Sequence, residues 1–399
     1  MTQKTQHGNA VGIVYSASLS ALGTTAYDVR HALTQKQSCL TARQDLLLEQ
    51  SCLVGAYTGA LTNTVFDEQL QRLDCRNLRL AITALQQIED QIRAYTQQFP
   101  SHRLAIIVGT STSGIADNEE ALHQYFSGES RLPISYQKQE MNSLAQGLKQ
   151  YLNWHGVAYT ISTACSSSTK AFAAGQRLLN ADLADAVLVG GVDTLCKLTL
   201  NGFYSLDSLA HDICRPCGVD RDGINIGEAA SLFLLSKEAT PVMLLGAGES
   251  MDAWHISAPH PEGRGAQQAM QKALHNAGVT AQQIDYLNLH GTATPQNDAM
   301  EIKAVRQVFG SNQVNLSSTK HQTGHCLGAA GALEAFICQQ VLLDQSWLPL
   351  HQFGEIDPEL ADQRYVQNVE VTQPIRYAMS NSFAFGGSNI SLIFGSLSV

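Results

Sequence analysis

One order of parts occurs twice in this chain, and few folds accommodate that. Residues 10–16, Ala-Val-Gly-Ile-Val-Tyr-Ser, read as a strand. A second strand, over 104–108, leads through the Gly/Ser/Thr-rich loop 109–114 into a helix that reaches residue 126. A third, over 157–161, runs into Ser162-Thr163-Ala164-Cys165-Ser166-Ser167-Ser168 and then a helix. Strands over 186–189 and 230–235 complete the set. After Thr240-Pro241 the order returns, with strand 242–246, helix 266–276, strand 286–289, loop 290–295 and a helix through Phe309. Strand 314–318, the apolar helix 331–343 and strands 377–380 and 390–394 follow. Strands alternating with helices imply largely parallel sheets under helical cover, with sites gathered outside the carboxyl ends of the strands. The chain is therefore expected to form an N-terminal half, 1–240, and a C-terminal half, 241–399. Matching the halves sets the loop at His290 opposite that at Thr110, and the loop carrying Lys320 and His325 opposite Cys165. A long helix is expected over 70–96, irregular structure with β-like pieces over 35–65, and a loop-rich section over 194–226.

Composition narrows the function classes. With 399 residues, 44% hydrophobic and 15% charged, the chain has the material for a large core. A formal net charge of −10 and the lack of any Lys/Arg-rich run argue against a nucleic-acid binder, while leaving a local patch for an acidic protein partner open. No apolar run approaches the roughly 18–20 residues of a membrane helix, and the first eight residues lack the apolar core of a signal peptide. No membrane insertion and a cytoplasmic location are the expectation. Nine cysteines cannot all pair, and reduced, separately buried thiols are expected. Cys214 and Cys217 form a C-x-x-C, but no second ligand pair stands nearby, so no metal is expected there.

Four stretches carry chemistry. Cys165 lies where a strand ends and a helix begins; unpartnered amides and the helix dipole favour a thiolate there. A buried structural cysteine beside a Ser-rich cap fits the same segment. His290-Gly291-Thr292-Ala293-Thr294-Pro295 puts a histidine and two hydroxyls at a strand's carboxyl end. Lys320 and His325 precede small residues, Gly328-Ala329-Ala330-Gly331, that let a helix sink into a core. Asn381-Ser382-Phe383-Ala384-Phe385-Gly386-Gly387-Ser388-Asn389 ends a strand in a Gly-Gly turn whose amides can point inward.

Together, in this order and over residues 10–396, these motifs resemble the β-ketoacyl-acyl-carrier-protein synthases, elongating condensing enzymes of the thiolase superfamily. The stretch from Arg215-Pro216 through Asp220-Arg221-Asp222-Gly223 to Gly227-Glu228 resembles a fifth family motif. The resemblance implies an α/β fold of thiolase type: duplicated five-stranded mixed-sheet halves in α-β-α-β-α layers. It implies that Cys165 accepts an acyl chain from a carrier-protein thioester. His290 and His325 would then stabilise the enolate formed as malonyl thioester loses CO2, and that carbanion would attack the acyl-Cys165 thioester. Amides of Cys165 and Phe385 would serve the tetrahedral intermediate. Lys320 is expected to pair with Glu301 beside His325, with Asp298 and Glu301 as supports. Thr292 and Thr294 match pantetheine contacts, Phe385 a gate, and Ile115 the acyl pocket wall; Phe383 and Gly386 are further substrate-binding candidates. Asn288, Glu334 and Ser388 match a structural monovalent cation site. No nucleotide or redox cofactor is implied. Partners are acyl carrier protein, for which Arg76 and Arg79 are docking candidates, and a second subunit, identical or a chain-length-factor-like relative.

Cys217 departs from the family pattern, standing where an aromatic is usual after Arg-Pro; so do the two extra residues Gly218 and Val219, and Ala384 in place of a common Gly. The stretch Ile224-Asn225-Ile226-Gly227-Glu228 is closest in character to synthases of aryl-polyene pigment clusters. Competing readings are a non-catalytic chain-length-factor subunit, which lacks the nucleophile, and a thiolase, which needs a second cysteine near the C-terminus; the last one here is Cys338.

Overall fold

A computed structural model describes residues 8–48, 50–128, 134–311, 314–352 and 354–397. The first seven residues, on which the reading of a missing signal peptide rests, lie outside these. Two sets of five strands, each set in the same order, make up the main sheet. In the first, Val11–Ser20 lies beside Ala229–Ser236, then Ala186–Asp193, Leu104–Gly109 and the edge strand Ala158–Ile161. In the second, Val242–Met251 lies beside Ser388–Ser396, then Tyr377–Phe383, Tyr286–Asn288 and the edge strand Asn315–Ser317. Each set mixes parallel and antiparallel pairs. The two first strands meet antiparallel through Val11↔Leu244 and Gly12↔Met243, so hydrogen bonding continues across ten strands.

Three apolar cores show the layering. Alternation along a strand sends neighbouring side chains to opposite faces. Leu104, Ile106 and Val108 pack outward under helices Arg76–Gln86 and Ser143–Leu152. Ala105 and Ile107 point inward, to Ser167–Asn180 and Ala330–Leu343. The second half sends Leu245, Leu287 and Met379 outward to Arg264–Ala277 and Pro295–Phe309. The two inner helices form the middle layer, and Ala330–Leu343 is buried along nearly its whole length. This is the thiolase-type layering that the motifs imply.

The long helix expected over 70–96 is instead three, Glu68–Gln71, Arg76–Gln86 and Glu89–Thr96. Cys75 is extended (φ −150°), and the Arg76 amide donates to Asp117 of another helix at 3.0 Å. A cap supplied by a distant residue leaves no periodic signal. Within 35–65, Thr41–Arg43 and Cys52–Gly55 join Ile226–Gly227 in a separate three-stranded sheet.

Candidate active site

The turn after the edge strand Ala158–Ile161 is sharp. Ala164 takes φ +52°, a left-handed conformation that costs a residue bearing a Cβ about 1–2 kcal/mol. Hydroxyls hold the turn: the Thr163 amide donates to Ser167 Oγ (2.9 Å), and Ser166 Oγ donates to Ser388 Oγ (3.0 Å). Gly109 makes room, since a Cβ there would lie 2.3 Å from the Ser168 amide nitrogen. Cys165 is thus fixed two residues before the start of a buried helix.

His290 leaves the carboxyl end of Tyr286–Asn288. Its amide and that of Gly291 donate to the two carboxylate oxygens of Glu301, at 2.9 and 2.7 Å, and Asn381 Nδ2 adds a third bond at 3.1 Å. Burial pushes the Glu301 carboxyl up to about 7 against these donors. Glu301 is therefore a support, as expected, but not the partner of Lys320. The buried Lys320 ammonium pairs with Glu334 and donates to the His290 carbonyl oxygen. Glu301 is already engaged by two backbone amides and Asn381, and Glu334 comes from the sunken helix Ala330–Leu343. Of the residues expected to hold a monovalent cation, Asn288 Oδ1 and Glu334 Oε2 are buried with no hydrogen-bond partner among the described residues, while Lys320 engages the other Glu334 oxygen and Ser388 Oγ accepts from Ser166 beside Cys165.

His325 is gripped through its backbone. Its amide donates to the Asn225 carbonyl oxygen (2.6 Å), and its carbonyl accepts from the Gly227 amide (3.0 Å). A Cβ on Gly227 would stand 2.3 Å from the Thr323 carbonyl oxygen and 2.9 Å from Cys326 Sγ. The fifth sequence stretch thus serves to place His325.

The three side chains converge. His325 Nε2 lies 3.0 Å from Cys165 Sγ, and the ligand atoms of Cys165, His290 and His325 all fall within 4.8 Å of one another. The imidazoles meet edge to face, centroids 5.4 Å apart. Burial first, then the Lys320 charge, holds both histidines well below the usual range, so both are neutral near pH 7. Burial pushes the Cys165 thiol up to about 11, outweighing Lys320 and the amides of Phe385 and Cys165. The helix start therefore does not by itself yield a resting thiolate. A neutral imidazole in hydrogen-bond contact with a thiol provides a proton acceptor instead.

These groups open into a cavity of about 340 Å³ that Thr292, Thr294, Phe383 and Phe385 also line. The hydroxyls of Thr292 and Thr294 bond to each other at 3.0 Å. Ile115 is buried at the start of Ile115–Phe126, outside the lining of this cavity. Gly386 faces solvent, and its amide donates to the Ile256 carbonyl oxygen (2.8 Å) rather than into the cavity. Asp298 is a support: it accepts from the amides of Cys217 (2.7 Å) and Ala293 (3.2 Å). Cys214 and Cys217 are buried free thiols that burial pushes up. Arg76 pairs with buried Glu228, and Arg79 with Asp74, while both arginine side chains stay partly exposed. Asp193 escaped the sequence reading. Fully buried at the end of Ala186–Asp193, it accepts from Thr110, Ser111, Thr112 and the Ala329 amide at 2.7–3.1 Å. Its only signal was an acid closing an apolar strand.

A duplicated α/β fold with a buried Cys-His-His centre defines a class of acyl-transferring enzymes. Residues 54–240 match the N-terminal domain model of β-ketoacyl synthases, and 242–353 the C-terminal domain model. The chain belongs to the β-ketoacyl synthase family. It is 34% identical over 355 residues to Nodulation protein E of Rhizobium meliloti, covering 86% of this chain and 88% of that one. It is 31% identical over 358 residues to 3-oxoacyl-[acyl-carrier-protein] synthase 2 of Staphylococcus aureus, covering 84% and 89%. Among solved structures, it superposes with a TM-score of 0.92 and 41% identity on a chain of the ketosynthase (ApeO) in complex with its chain length factor (ApeC) from Xenorhabdus doucetiae. That match covers 97% of this chain and 98% of the other. Among the described residues, no helix is long and apolar enough to cross a membrane.

Proposed function

We propose that the chain elongates acyl groups by decarboxylative condensation on acyl carrier protein, with residues 1–240 supplying the nucleophile and 241–399 the two histidines and lysine. The observation that carries this reading is His325 Nε2 at 3.0 Å from Cys165 Sγ, with His290 beside them in the same cavity. In the first stage the Cys165 sulfur bonds to the acyl carbonyl carbon, and the bond to the carrier sulfur breaks. The thiol proton passes by way of His325 to the departing carrier thiol. In the second, malonyl thioester loses CO2 while an N–H of neutral His290 and the Nε2–H tautomer of neutral His325 hold the developing enolate oxygen. Its carbon attacks the acyl-Cys165 carbonyl, whose oxyanion meets the amides of Cys165 and Phe385; the sulfur leaves as thiolate and takes a proton from solvent. Neutral donors suit this task because they stabilise negative charge without first surrendering it. Lys320 holds the His290 carbonyl and adds to burial in keeping both rings unprotonated.

The likeness to the ApeO–ApeC complex supports a heterodimer with a chain-length-factor-like subunit. An aryl-polyene-type substrate and a cytoplasmic location complete the proposal. The presence of Cys165 supports the catalytic role within such a pair. Incubation with acyl-carrier and carboxyl-labelled malonyl-carrier protein tests the reaction. Labelled CO2 and a β-ketoacyl-carrier product, equal in amount, are expected. CO2 without the ketoacyl product, or neither, contradicts the proposal.

A further inference from the structure

The helix Lys197–Ser205 has no counterpart in the proposed chemistry, yet its far end forms a wall of the cavity that holds Cys165. Only Leu200 of this helix is buried, so its own packing fixes it weakly. Two outside contacts place it. The Glu119 carboxylate, on Ile115–Phe126, accepts from the amides of Lys197 and Leu198 at 2.8 and 2.6 Å, a charge set against the positive end of the helix. Asn201 Nδ2 donates to the Leu46 carbonyl oxygen at 2.9 Å, and Asn201 Oδ1 accepts from the Leu48 amide. So held, the helix presents Phe203 to Phe385, ring centroids 5.7 Å apart and planes inclined at 44°. Both rings line the cavity.

The backbone around Phe385 is tied on its other side. The Gly386 amide donates to the Ile256 carbonyl oxygen, and the Gly387 carbonyl accepts from the Asp252 amide, each at 2.8 Å. Gly386 and Gly387 take φ +78° and +80°, so the turn is made of residues that change conformation at little steric cost. The main chain is clamped from one direction, and the half-exposed ring is met by an aromatic partner from the other.

We propose that Phe203 is a positioning residue that holds the Phe385 ring closed beside Cys165, with Glu119 setting the helix that carries it. An aromatic pair of this kind is worth about 0.5–1.5 kcal/mol beyond its buried area, which shifts an open–closed balance roughly 2- to 12-fold. The latch rests on the reading of Cys165 as the reactive thiol behind Phe385, but its test needs only alkylation of that thiol and is read whether or not condensation occurs. Rates of Cys165 modification are measured on the full chain with iodoacetamide and with a long-chain alkyl iodoacetamide. In Phe203→Leu the long reagent should react several-fold faster and iodoacetamide within twofold of the parent. Phe203→Tyr, which keeps the ring, should restore the parent's rates. Leucine also widens the cavity directly, so the cycle with Phe385→Leu decides between the two causes. Non-additive effects support a latch acting through Phe385; multiplying effects, equal changes for both reagents, or no change overturn it.

Discussion

Removing the ammonium of Lys320 is the most informative single perturbation of this core. The pair with Glu334 is almost wholly buried, the side chains 2% and 4% exposed. Glu334 Oε2 has no hydrogen-bond partner among the described residues, so Lys320 alone offsets the carboxylate. Lys320→Met strands that charge, and breaking a buried pair from one side costs roughly 3–5 kcal/mol, a fifth or more of a typical domain's stability. The deficit has a pH signature. Burial already raises the Glu334 carboxyl, and loss of Lys320 raises it further. A carboxyl whose folded pKa lies above the unfolded value near 4.5 takes up its proton in the folded state first, so the variant recovers stability as pH falls toward 4.5. Denaturant titrations at pH 8 and 5.5 should show the deficit shrinking at the lower pH. Lys320→Met/Glu334→Leu should regain most of the lost stability while remaining poorly active, because the His290 carbonyl keeps no ammonium donor. A single variant costing under about 1 kcal/mol, or a double variant no more stable than the single, refutes the reasoning.

Three further outcomes follow from the same geometry. Asp193→Ala leaves several buried donors unpaired and should lose roughly 3–5 kcal/mol in denaturant titration. Gly227→Ala forces a Cβ against Thr323 and Cys326 and should displace His325, cutting turnover by more than about 100-fold with a smaller fall in melting temperature. His351 stays neutral in the folded state down to about 4, so its contribution is intact above about 6.5 and is lost as pH falls toward 4. His351→Asn, which keeps an acceptor for the Ser318 amide, should flatten the stability–pH slope in that window by about 1.4 kcal/mol per unit.

The duplicated strand order was legible because period-2 and period-3.6 patterns alternate cleanly in both halves. The seam at Val11 and Gly12 was not, since two paired residues among ten strands leave no pattern. Helix ends were missed where the cap comes from afar, as Asp117 caps Arg76 and Glu119 caps Lys197. The motifs located Cys165, His290, Lys320 and His325, but motif spacing does not fix charge partners. Glu301 is 19 residues before Lys320 and Glu334 is 14 after it, and only the fold decides between them. A lone charged residue, Glu334, in the mostly apolar run 331–343 was the available clue. The helix-start reading of Cys165 as a ready thiolate erred because dipole and amides weigh less than full burial.

The central claim is that acyl groups reside on Cys165. Intact-mass analysis after incubation with acyl-carrier protein, followed by peptide mapping, tests it. One acyl group per chain is predicted, on the peptide containing Cys165 and absent from Cys165→Ala. An adduct on Cys214 or another thiol, or an adduct that persists in Cys165→Ala, contradicts it.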